Sequence, residues 1–100
     1  MMIDISTARS LVEIELLKMS RGAPPEEERV ISHVLSIEKD IGWIFFYNTK
    51  AFLETNDPKY ELFGNAPIIV DKEDGSLHYT GTGLPFEEYV EEFRKKKTSE

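Results

Sequence analysis

The longest apolar run of the chain, Ile41-Gly42-Trp43-Ile44-Phe45-Phe46-Tyr47, restricts the possible folds more than any other feature. It is far shorter than the roughly 20 residues a membrane span needs. Its aromatic part, Trp43 to Tyr47, lies between the turn Lys39-Asp40-Ile41-Gly42 and Asn48, and it reads as a β-strand. Apolar residues fall on both sides of that strand, so it reads as a central strand buried on both faces. Trp43 has the residue type of a binding hot spot. The core is the favoured place for it, because apolar residues follow it on both sheet faces.

The remaining elements are arranged around this run. Ile5, Ala8, Val12, Leu16 and Met19 recur at spacings of three and four, which predicts a helix over residues 4–20. Ser6 or Asp4 can cap its start, and Gly22 with Pro24 and Pro25 can end it. Residues 30–38 alternate in part and read as a strand that includes His33. Lys50 to Glu54 reads as a short helical turn. Ile68-Ile69-Val70-Asp71 and Leu77-His78-Tyr79-Thr80 flank a loop containing Asp74-Gly75, the strongest hairpin signal in the chain. Pro85 leads into a last helix with Phe86, Tyr89, Val90 and Phe93 on one face. Its acids come early and Arg94-Lys95-Lys96-Lys97 come late, which matches the helix dipole. Short connections favour antiparallel pairing. The expected architecture is one α+β domain over residues 1–100: an antiparallel sheet of about four strands, with the N-terminal and C-terminal helices packed on one face.

Charge narrows the partners. Twelve basic against nineteen acidic side chains leave a net charge of −7. That field repels nucleic acid and anionic lipid and favours a basic protein surface. The chain has no cysteine, which rules out disulfides and thiol chemistry. Its first residues lack a signal-peptide pattern, so the expected location is the cytoplasm.

Three ordered stretches carry a family resemblance: Gly42-Trp43-Ile44-Phe45-Phe46-Tyr47, then Phe52-Leu53-Glu54-Thr55-Asn56-Asp57, then Gly64-Asn65-Ala66-Pro67-Ile68-Ile69-Val70-Asp71-Lys72 with Asp74-Gly75 and Leu77-His78. Thr80-Gly81-Thr82, Pro85 and Glu88-Tyr89 continue the series. Together these resemble the immunity protein 35 family and its YrhB-like members, over about residues 42–93. Residues 1–41 resemble the family only in layout. The resemblance implies an α+β fold and a role in bacterial polymorphic toxin systems, in which a family member binds and neutralises a cognate toxin. It also implies no catalysis. Free-standing members are linked to chaperone-like protection of other proteins.

Each candidate site has two readings. Gly64-Asn65-Ala66-Pro67 is a binding loop or, in the leading reading, a turn that sets up the next strand. Thr80-Gly81-Thr82-Gly83 could cradle an anion, but it lacks a P-loop lysine and the dinucleotide fingerprint. A strand exit with Thr82 capping the helix leads. His78 with Asp71 and Asp74 could form a small metal or acid–base site, or His78 is simply a half-exposed strand residue. Glu26-Glu27-Glu28 and Glu87, Glu88, Glu91 and Glu92 could meet a basic patch on a toxin, or they form solvated faces. The two sheet edges could pair with a partner or with a second copy, giving a homodimer.

The resulting expectation is an immunity-type protein that blocks a toxin sterically, with no catalytic, cofactor-binding or metal-ligating residues. Glu87, Glu88, Glu91, Glu92, Asn65 and His78 are the residues expected to meet the partner. The alternative is a YrhB-like chaperone-like protein that binds unfolded clients. A third possibility, a small enzyme or ligand-binding domain using His78, Asp71 and the Thr-Gly-Thr loop, requires a concave pocket with converging polar groups.

Overall fold

In the computed structural model, residues 2–32, 37–62 and 65–98 are described. Helix α1 (Ile5–Met19) starts where the Asp4 carboxylate accepts from the Thr7 N–H at 2.8 Å, so Asp4 is the cap rather than Ser6. Ala8, Val12 and Leu16, one turn apart, are its buried face. Ile5, expected in that stripe, is exposed. At the other end the Ser20 hydroxyl donates to the Leu16 carbonyl at 2.8 Å and accepts from the Arg29 N–H at 2.9 Å, which ties α1 to the next element.

Among the described residues six strands follow in chain order: β1 (Arg29–Ile31), β2 (Ile37–Lys39), β3 (Gly42–Phe45), β4 (Tyr47–Thr49), β5 (Ile68–Asp71) and β6 (Leu77–Tyr79). A short helix, α2 (Lys50–Thr55), leaves β4, and α3 (Phe86–Thr98) follows β6. Strands β2-β3-β5-β6 form an antiparallel four-stranded sheet, and β1-β4 form a separate antiparallel ribbon. The α+β class, the antiparallel pairing, the β5–β6 hairpin and the two terminal helices are as expected. Gly75 takes a φ of 75° in that hairpin loop, where its N–H donates to the Asp71 carbonyl.

Two strand readings are corrected. The run Trp43 to Tyr47 is not one strand. It changes sheets at Phe46, whose carbonyl accepts from the Ser32 N–H at 2.7 Å and so belongs to the β1–β4 ribbon. Residues 30–38 are not one strand either, since β1 and β2 lie in different sheets; residues 33–36, with His33, lie outside the described residues.

The helices do not share a face. Trp43, Phe45, Ile68 and Val70 point toward α1 and pack with Ala8, Val12 and Leu16. Ile44 and Ile69 point the other way and pack with Val90, Phe86 and Phe93 of α3. All four residues of β3 and all four of β5 are buried. Alternation sends neighbouring side chains to opposite faces. A strand buried at every position therefore needs cover on both, and α1 and α3 supply one face each.

Candidate functional site

The candidate site lies along α3 and the edge of the sheet beside it. Phe86, Val90 and Phe93 turn inward, and Phe86 meets Phe46 edge-on at 5.4 Å between ring centroids. Polar clamps hold the later half of the helix. Arg94 reaches the β2–β3 turn, with Nε 3.2 Å from Asp40 Oδ2 and Nη2 2.5 Å from Oδ1. Lys97 Nζ reaches the β5–β6 hairpin, 2.9 Å from Asp71 Oδ1 and 3.1 Å from Glu73 Oε1. Asp71 is buried and also accepts from the Glu73 N–H. The Arg94 hydrogen bond holds the Asp40 carboxyl below its usual range, and the Asp71 hydrogen bond, ahead of smaller contributions, raises Lys97.

Arg94 and Lys97 of the basic run thus bind α3 to the sheet. The acidic run is less engaged. Glu87, Glu88 and Glu92 are exposed and make no hydrogen bond or ion pair with any described residue. Glu91 accepts from Arg94. The four glutamates expected to meet a partner thus lie on one helix, and three of them are unengaged.

Between β6 and α3 runs a groove of about 680 Å³, lined by His78, Asp74, Glu92 and Phe93 among others. It brings two of the expected partner residues, His78 and Glu92, into one place. A hydrogen-bonded chain runs along it. The Ser76 hydroxyl donates to Asp74 Oδ1 at 2.7 Å, and His78 Nε2 lies 2.8 Å from the same hydroxyl. With the hydroxyl proton committed to Asp74, Nε2 is the donor in the second bond. The Ser76 hydrogen bond also lowers the Asp74 pKa. The His78 ring lies against Phe93, with centroids 4.4 Å apart. The concave pocket with polar lining that a ligand-binding domain would need is therefore present. Asp71, however, is engaged by Lys97, and no group of three or more His, Asp or Glu among the described residues could hold a metal.

Several family-like motifs make internal contacts. The Asn65 amide donates to the Tyr47 carbonyl at 2.6 Å, pinning the loop before β5 to β4, and Asn65 is not a lining residue of the groove. The Thr80 hydroxyl donates to the Pro67 carbonyl at 2.6 Å. Gly81 lies under Tyr89, where an added Cβ would come within 2.6 Å of the phenol oxygen. Thr82 lies well before Phe86, where α3 begins, so it does not cap the helix as expected. The sequence also left Tyr89 and Phe93 as ordinary inward residues of α3, although both line the groove. Their i, i+4 spacing was the available signal, because it aligns both with one edge of the sheet.

On the opposite face of β6, the Tyr79 hydroxyl donates to Glu15 Oε1 of α1 at 2.5 Å. Desolvation first, then the bond to Glu15 and its charge, push the Tyr79 pKa from 10.0 to about 12. The folded value lies above the unfolded one, so this contribution is complete below pH 10 and is lost as the pH rises toward 12. An ultraviolet titration should place the Tyr79 ionisation at about 12, absent in Tyr79→Phe, and Glu15→Gln should lower it.

Comparison with known proteins adds three findings. The family model described as Immunity protein 35 matches residues 12–96. A curated relative, "Uncharacterized protein YrhB" of Escherichia coli (strain K12), is 45% identical over 58 residues, covering 58% of this chain and 62% of the relative. The match thus spans less than two thirds of that relative's length. No solved structure gives a significant match. Among the described residues, no helix is long and apolar enough to cross a membrane.

Proposed function

The chain belongs to the immunity protein 35 family, and on that premise we propose that it binds a cognate toxin protein in the cytoplasm and neutralises it by steric block, without catalysis. Family membership is the observation that carries this reading. The unengaged Glu87, Glu88 and Glu92 on α3 support it, because they offer a basic toxin surface a complementary field. The net charge of −7 acts in the same direction by speeding encounter with a basic partner.

The test is co-expression with the toxin domain encoded beside this gene, followed by binding of the purified pair. Wild-type protein should restore growth. Charge reversal at Glu87, Glu88, Glu91 and Glu92 should slow association by about tenfold or more at low salt, with a smaller effect at high salt. A wild-type protein that neither binds nor protects would end the reading.

Chaperone-like binding of unfolded clients is a second reading, supported by Ile14 and Leu17, which are exposed three residues apart on α1. It predicts suppressed aggregation of unrelated clients that is lost when both are changed to Ser.

A further inference from the structure

The four-stranded sheet ends at β6, and the hydrogen bonds already made by that strand show which groups face out. The Asp71 N–H donates to the Ser76 carbonyl at 2.9 Å, and the Thr80 N–H to the Pro67 carbonyl at 3.4 Å. Bonded and non-bonded pairs alternate along an antiparallel ladder. His78 is therefore bonded to Ile69, and the N–H and C=O groups of Leu77 and Tyr79 face away from the sheet. No described residue outside the ladder hydrogen-bonds to them. An open edge of this kind is a template for another strand.

The groove lies beside this edge, on the His78 side. Asp71, Glu73, Asp74 and Glu92 line it against Lys96 and Lys97. Lys97 is already paired with Asp71 and Glu73, which leaves Asp74 and Glu92 against Lys96. The remaining charge is negative, beside the aromatic side chain of Phe93. A lysine or arginine suits such a place, gaining both carboxylate attraction and a cation–π contact.

We propose that the free edge of β6 receives an extended, lysine- or arginine-bearing segment of the partner protein, which adds a strand to the sheet and sends a cationic side chain into the groove between β6 and α3. The proposal rests on the reading above only for the partner's identity as the toxin. A second copy is the competing occupant, since Leu77 could lie opposite Tyr79 of that copy in a self-complementary register. Charge favours the basic segment, because two copies would bring together two chains of −7.

The experiment is hydrogen exchange by NMR on the full chain, with an acetylated peptide of alternating lysine and valine as the probe. The Leu77 and Tyr79 amides should slow by about tenfold or more, while His78, already in the ladder, should change little. The same peptide with glutamate for lysine should have no effect, nor should the lysine peptide N-methylated at alternate backbone positions. Tyr79→Pro should abolish the slowing, because it removes an outward N–H that no internal bond uses, and Tyr79→Phe should retain it. If the proline variant fails to fold, the N-methylated peptide carries the test alone. No slowing, equal slowing by the glutamate peptide, or slowing that appears with rising protein concentration and no peptide would overturn the proposal, the last in favour of a second copy. A toxin that binds while both amides stay fast would overturn the edge and leave the immunity reading intact. Slowing by the lysine peptide in a protein that binds no toxin would uphold the edge and remove that reading.

Discussion

Gly42→Ala is expected to destabilise the protein by about 3 kcal/mol or more, at the upper end of single substitutions. The reason is a close approach between central strands. A Cβ on Gly42 would lie 1.9 Å from the Val70 carbonyl oxygen and 2.9 Å from the Lys72 nitrogen, both backbone atoms. Neither can rotate away as the end of a side chain would. The Lys72 N–H donates to the Ile41 carbonyl at 3.0 Å, so moving it breaks a bond that closes the β3–β5 ladder. The φ of 152° at Gly42 adds backbone strain for any L-residue. Urea unfolding should show a large drop in the midpoint with little change in slope. A stability within about 0.5 kcal/mol of wild type would refute this account of the Gly-Trp element.

Phe45→Ala is expected to cost about 3–5 kcal/mol, and Phe46→Ala distinctly less. The two aromatics are adjacent but differently placed. Phe45 is fully buried at the end of β3 and packs toward α1 with Trp43, Ile68 and Val70. Phe46 lies where the chain changes sheets, half-buried on the α3 side against Phe86. Truncating Phe45 leaves a cavity in the larger cluster, whereas the Phe46 site can be filled partly by solvent. Loss of Phe46 should also loosen α3, which amide exchange would show as lower protection along the helix than in Phe45→Ala at matched stability. Equal costs for the two changes would mean that the break at Phe46 has no energetic weight.

Much of this fold was legible because local chemistry and tertiary structure agree. The spacing of Ala8, Val12 and Leu16 predicts α1, and Asp74-Gly75 between β-rich runs predicts the hairpin. The change of sheet at Phe46 was not legible, because a five-residue apolar run looks the same whether its hydrogen bonds go to one sheet or two. The placement of the helices was half legible. Apolar residues on both sides of β3 call for two covers, yet each helix taken alone predicts only that it covers some face. The family resemblance read over residues 42–93 is part of a match over 12–96 that includes the second half of α1. At its Gly-Trp, Asn-Ala-Pro and Thr-Gly-Thr elements backbones and side chains pass close to one another, so each has a part in the scaffold. The strand side of the groove was legible in His78 and Asp71, but the placing of Glu92 and Phe93 on its α3 side was not, because no periodicity within one element reports where two elements meet.

The β3–β5 pairing has a consequence for how the chain reaches this structure. The β2–β3 and β5–β6 hairpins are closed by short turns, so each can form within microseconds on its own. Neither hairpin alone assembles the central pair of strands, which joins residues 42–45 to 68–71 across the ribbon strand β4 and helix α2. The slow event in folding is therefore expected to be the meeting of the two hairpins, with Gly42 at the seam between them. The length of the segment between the hairpins matters little to this step, since doubling a loop adds only about 0.6 kcal/mol to its closure. The fit of the two strands at contact matters far more.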